Sequence, residues 1–121
     1  MNRLRDDRGA ASIFVLAVGL VLVSVGAAGA TVGAARVARH QAKVAADFGA
    51  LAGGPRAIEG EAAACAEAQR YVAANHARMT ACTITGLDIV VRTEVPLRIV
   101  PASAEAASRA GPISGAAEAE P

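Results

Sequence analysis

No charge interrupts the chain from Gly9 to Ala35, and within that stretch Ile13–Val25 is nearly all Ile, Val, Leu and Phe. About 20 apolar residues span a bilayer as a helix, and at about 1.5 Å per residue the uncharged stretch outlasts a hydrocarbon layer of about 30 Å. A backbone in lipid must satisfy its own hydrogen bonds, which leaves a helix as the single-segment solution. The pattern therefore predicts a basic segment over 1–9 and a transmembrane helix over 10–35. Beyond it Val37, Val44, Phe48 and Leu51 share a helical face beside polar Arg36, Arg39, Lys43 and Asp47, so the helix is predicted to continue outside the membrane over 36–54. Gly53-Gly54-Pro55 ends it, because glycine caps a helix and proline cannot extend one.

A second helix is predicted from about Ala57 to Asn75, carrying Ile58, Cys65 and Val72. After Asn75 the period changes to two. Thr80–Thr85 reads as a strand, Gly86-Leu87-Asp88 as a turn and Ile89–Val100 as a second strand. In the latter Ile89, Val91, Val95, Leu97 and Ile99 point one way and Arg92, Glu94 and Arg98 the other, with Pro96 marking an edge strand. Residues 101–121 are Ala, Ser, Glu, Gly and Pro without period and are predicted to be disordered. The fold class is α+β: a long N-terminal transmembrane helix continuing outside the membrane, a second helix and a small antiparallel β-hairpin in an ectodomain over 55–100, then the tail.

Composition sharpens this picture. Aromatic residues are only Phe14, Phe48 and Tyr71, and the apolar total is mostly alanine and valine, so little material exists to wrap the apolar run as a buried core helix. A net charge of +1, with no basic stripe or stacking aromatics, argues against nucleic acid as a partner. A cleaved signal peptide competes with a retained span. Met1–Arg8 serves as its charged region, Ile13–Val25 as its apolar region and Ala28-Gly29-Ala30 as its cleavage site. Against cleavage, the uncharged run passes that site and Arg36, Arg39 and Lys43 follow as a stop-transfer flank. The two readings are a membrane-anchored protein and a small secreted one that binds a partner elsewhere.

Basic residues are balanced about the span, with Arg3, Arg5 and Arg8 before it and Arg36, Arg39 and Lys43 after, so the cysteines weigh more for orientation. Cys65 and Cys82 both follow the span. A domain this small gains much from a cross-link, and the pair reads as a disulfide in an oxidising compartment, with the N-terminus cytoplasmic and the C-terminus outside. There is no C-x-x-C spacing, and His40 and His76 are isolated, so no metal is expected. Within the span Ser12, Gly19, Gly26 and Gly33 recur every seven residues on one side of a helix, Gly29 with Gly33 forms a G-x-x-x-G pair, and Gly26 with Ala30 adds a second pair of small residues. In lipid such residues let helix backbones approach closely.

Hydrolase, metalloprotease, phosphate-loop and dinucleotide motifs are absent, and Glu59, Glu61 and Glu67 read as a solvated helix face. No enzyme activity, cofactor or small-molecule substrate is expected.

Three pieces in order, Asp7-Arg8-Gly9-Ala10-Ala11-Ser12, the apolar run, and Ala42-Lys43-Val44-Ala45-Ala46-Asp47 with Ala50-Leu51-Ala52-Gly53, resemble the TadE/TadG-like proteins of Flp (tight-adherence) pilus assembly. The later layout, Cys65 and Cys82 followed by Gly86-Leu87-Asp88 and alternating valines, is similar to the short actinobacterial members. The resemblance implies a minor-pilin-like or pseudopilin-like part in a pilus or secretion system, with the helix packing beside other pilin-like helices. It also implies a candidate processing bond between Gly9 and Ala10. Phe14 stands fifth after that bond, where pilin-type substrates carry a glutamate.

Overall fold

The structure, a computed structural model, describes residues 3–112, with side chains from residue 9 onward. Helix α1 covers Arg3–Gly53, followed by a 3-10 segment Gly54–Glu59, helix α2 (Glu61–Ala74) and strands β1 (Arg78–Thr85), β2 (Asp88–Pro96) and β3 (Ser103–Ala110). The class is α+β, as the sequence predicts. The chain divides into two units, Met1–Gly33 and Ala34–Pro121, so the later turns of α1 belong to the folded unit.

In the first unit α1 is a single apolar helix. One helix among the described residues is long and apolar enough to cross a membrane, and its most apolar window is 0 % buried. Ile13, Phe14, Leu16, Leu20 and Leu22 are all exposed. The two hydroxyls of its middle bond back to the helix itself, Ser24 Oγ to the Leu20 carbonyl at 2.8 Å and Thr31 Oγ1 to the Ala27 carbonyl at 3.0 Å.

In the second unit the wall that α1 turns inward is alanine and glycine. Ala38, Ala42, Ala45, Ala46, Gly49, Ala50 and Gly53 are buried. Of the residues that the sequence places on one helical face, Val37, Phe48 and Leu51 are exposed and Val44 is half-buried. The choice of buried face has a steric cause. A Cβ on Gly53 would lie 2.7 Å from the Ala64 carbonyl oxygen and 2.6 Å from Ile89 Cδ1, and one on Gly49 would lie 2.7 Å from Val72 Cγ2. The larger residues are turned to the other side because no room exists for them here. Helix α2 meets this wall with Ala64, Ala68 and Val72, spaced four apart on one face.

The expected second helix is in two pieces. Gly60, at φ 110°, separates the 3-10 segment from α2 in a conformation that side-chain-bearing residues rarely take, and Ile58 lies in the 3-10 segment with its side chain exposed. Helix α2 ends in a Schellman pattern: the His76 N–H donates to the Ala73 carbonyl at 3.0 Å and the Ala77 N–H to the Val72 carbonyl at 3.3 Å. His76 holds the left-handed position (φ 58°) that glycine usually fills.

The predicted hairpin is present, with Cys82 opposite Val91 and Ile84 opposite Ile89 across β1 and β2. Its two-residue turn is Gly86-Leu87, with positive φ at the glycine alone, the first-position glycine of a type II′ turn. Two expectations are corrected. β2 is the central strand of an antiparallel sheet ordered β1-β2-β3, and Pro96 is tolerated because it is the strand's last residue. Part of the segment expected to be disordered is β3, whose Ala104, Ala106, Ser108 and Ala110 alternate with exposed residues. Residues 113–121 of that tail lie outside the described residues.

The buried face of β2 comprises Ile89, Val91, Thr93 and Val95. Ile89 sits by Gly53, Val91 by Gly49, Thr93 by Ala42 and Val95 by Ala38, so β2 runs antiparallel to α1. Thr93 Oγ1 donates to the Ala42 carbonyl at 2.6 Å, which satisfies the one buried polar side chain of this core.

Gly53→Ala should destabilise the folded unit by about 1–3 kcal/mol through overpacking, although alanine is the better helix former. Gly26→Ala, where the added methyl meets nothing, should not; thermal melts of the full-length chain in detergent compare the two. His76→Gly should raise stability by up to about 1 kcal/mol by relieving the left-handed backbone, read from the same melts.

Candidate functional site

The features that can do work are two: the apolar helix surface and the folded unit's cross-linked shell. On the first, Gly9, Gly19, Gly26, Gly29 and Gly33 each have open space where a Cβ would be added. Ser12 and the spaced glycines lie on α1 as the sequence places them, and among the described residues nothing is packed over the glycine stripe. The glycine positions of the stripe are thus open. The expected processing bond between Gly9 and Ala10 lies within α1, in regular helix.

The second feature begins with the disulfide. Cys65 on α2 and Cys82 on β1 are bonded, with Cα atoms 5.9 Å apart and a sequence separation of 17. The bond joins helix α2 to the sheet. Helix α2 already places Ala64, Ala68 and Val72 inward, so Cys65 falls at the margin of that face, half-buried and level with β1. Strand β3 is tied to α1 by polar contacts. Lys43 Nζ donates to the Ala107 carbonyl at 2.9 Å and pairs with Asp47 at 3.0 Å. A hydrogen bond from the Ser108 hydroxyl, and then Lys43, hold the Asp47 carboxyl below its ordinary value of 3.8.

The sheet's outer face is polar, with Arg78 paired to Glu94 and Arg109 to Asp88. Glu59 and Glu67 each pair with an arginine three residues away, Arg56 and Arg70; Glu59 is exposed, whereas Glu67 is half-buried. Among the described residues no group of three or more His, Cys, Asp or Glu side chains could hold a metal ion. His40 and His76 are exposed on separate elements. Shallow apolar surface occurs at both ends of the folded unit. Leu51, Pro55, Ile58 and Leu87 line it at one end, and Val37, Leu97 and Ile99 at the other.

Sequence reasoning found the cysteine pair and the open stripe but missed the closest helix contact. Gly49 and Gly53 form the G-x-x-x-G pair that is used within the folded unit, and the signal was present in the alanines recurring at 38, 42, 45 and 46 before them. Thr93 carried no such signal, since an isolated threonine in a strand is ordinary. No protein-family model, curated protein or solved structure matches the chain.

Reduction, or Cys65→Ala with Cys82→Ala, should cost the folded unit about 3 kcal/mol in the chain-entropy description of a loop this long. Thiol labelling of the unreduced protein should find no free cysteine, and melts with and without reductant give the stability difference. The Asp47 carboxyl is lower in the folded than in the unfolded chain, so its contribution is present above about pH 4 and fades as pH falls through the folded value. Asp47→Asn should therefore flatten the acid limb of a stability-versus-pH curve while leaving its neutral shape unchanged.

Proposed function

We propose that this chain is a single-span membrane protein of TadE/TadG-like type that serves as a structural part of a pilus-assembly or secretion apparatus, minor-pilin-like or pseudopilin-like, and performs no catalysis. The observation that carries the anchoring is the apolar window of α1, none of which is buried. The core helix of a water-soluble domain would be mostly covered. A surface of exposed Ile, Leu, Val and Phe this long is stable only in an apolar medium or against other helices. The self-bonded hydroxyls of Ser24 and Thr31 favour lipid, since they leave no donor unsatisfied there. The open glycine stripe supports packing beside other pilin-like helices. The disulfide supports an exported folded unit, hence a cytoplasmic N-terminus and a C-terminus outside.

A second reading draws on where the folded unit begins. It starts at Ala34, so signal peptidase cutting after Ala30 would release it with its core intact, as a small secreted protein that binds a partner.

Membrane fractionation with mass spectrometry of the mature N-terminus separates the two. The anchored protein stays with membranes through alkaline extraction and begins at Met1 or, if processed, at Ala10; a soluble species beginning at Thr31 would overturn anchoring. Helix association is tested by Gly26→Ile and Gly33→Ile in an in-membrane association assay. Neither side chain would meet anything in the monomer, so weakened association with unchanged insertion is expected. Unchanged association would remove the stripe from the mechanism.

A further inference from the structure

Because β2 runs antiparallel to α1, the loop joining β2 to β3 returns to the turns of α1 that directly follow the uncharged run. Ala34, Val37, Ala38 and Gln41 of α1 line one groove with Val95, Leu97 and Ile99. Leu97 roots the loop: it packs against the Ala38–Ala42–Val95 cluster, and its N–H donates to the Ala102 carbonyl at 2.8 Å. The next apolar residues turn outward. Ile99 is 58 % exposed, Val100 37 % and Val37, across the groove, 68 %.

The charges sort in the same direction. Elsewhere on the folded unit five cations are matched, Arg56 with Glu59, Arg70 with Glu67, Arg78 with Glu94, Arg109 with Asp88 and Lys43 with Asp47, while Arg92 on the sheet's outer face has no ion pair among the described residues and lines a hollow with Arg39 and Glu105. Arg36, Arg39 and Arg98, at the end where the span stops, have no ion pair among the described residues, and Glu105 is the acidic residue lining the neighbouring hollow with Arg36 and Arg39. Exposed aliphatic side chains beside unmatched arginines, level with the turn where a helix leaves lipid, suit the boundary between acyl chains and anionic headgroups. The far end of the unit also exposes Leu51, Ile58 and Leu87, but its nearby arginines are paired.

We infer that the β2–β3 loop, through Ile99 and Val100 with Val37 and flanked by Arg36, Arg39 and Arg98, seats the folded unit on the interface of an anionic bilayer. This rests on the anchored reading above. The contact adds a second membrane attachment to that of the helix.

The chain has no tryptophan, so single reporters can be read in the full-length protein. Ile99→Trp, Val100→Trp, Leu87→Trp and Val21→Trp would be reconstituted in phosphatidylcholine–phosphatidylglycerol vesicles containing acyl-brominated lipid. Tryptophan at 99 and at 100 should emit at shorter wavelength and lose intensity to bromine, as at 21, while the reporter at 87 should not. Quenching at 21 with none at 99 or 100 overturns the loop contact and leaves the anchor standing. An unquenched reporter at 21 removes the anchor and the contact with it. Quenching at 87 equal to that at 99 means indiscriminate adhesion, and a blue shift at 99 that grows with protein density but ignores bromine means that a second copy covers the loop; either overturns the proposal. Replacing phosphatidylglycerol by phosphatidylcholine should reduce quenching at 99, and an unchanged value would overturn the part given to the arginines.

Discussion

The closeness of α1 to its neighbours at Gly49 and Gly53 governs the folded unit. A methyl group at Gly53 would run into the backbone oxygen of Ala64, so the two helices meet with no side chain of α1 between them. That approach dictates alanine on both sides, at 45 and 50 on α1 and at 64 and 68 on α2. On β3 small residues again meet α1, Ala104 and Ala106 packing against the cluster of Ala38, Ala42 and Val95.

A core built this way is dense but buries little apolar area per residue. Among the described residues its largest fully buried aliphatic side chains are Ile89, Val72 and Val91. At about 25 cal/mol per Å² of apolar surface, alanine contributes far less than the leucine or phenylalanine of an ordinary core. Directional and covalent bonds take a larger share in consequence. The Thr93 hydroxyl ties sheet to helix, Lys43 and Asp47 tie β3 to α1, and the disulfide ties α2 to β1. Each joins a pair of elements of this core.

The same helix is thereby used in two opposite ways. Over its first unit the large residues face outward on all sides and the glycines are open, a surface suited to lipid and to other helices. Over the turns after Ala34 the small residues face inward and the glycines are filled by neighbours. Small residues at helical spacing allow close approach in both settings, and what differs is whether the chain itself supplies the approaching partner.

Much of this was legible without coordinates. The uncharged run, the stop at Gly53-Gly54, the turn at Gly86-Leu87, the alternation of Ile89, Val91 and Val95 and the cysteine pair are local or compositional signals, each with its own physical cause in hydropathy, backbone freedom or period. Tertiary structure decided the rest. Which face of α1 is inward could not be read from hydrophobicity, because Val37, Phe48 and Leu51 are more apolar than the alanines that displaced them, and the choice turns on clearance to α2. β3 escaped notice because alanine and serine carry little strand preference, and its pairing depends on the partner edge that β2 offers. Pro96 looked like an edge residue until the strand's end was placed beside it. The sequence determined the apolar helix and the cross-link; the packing distance between helices, a property of no single segment, decided the core.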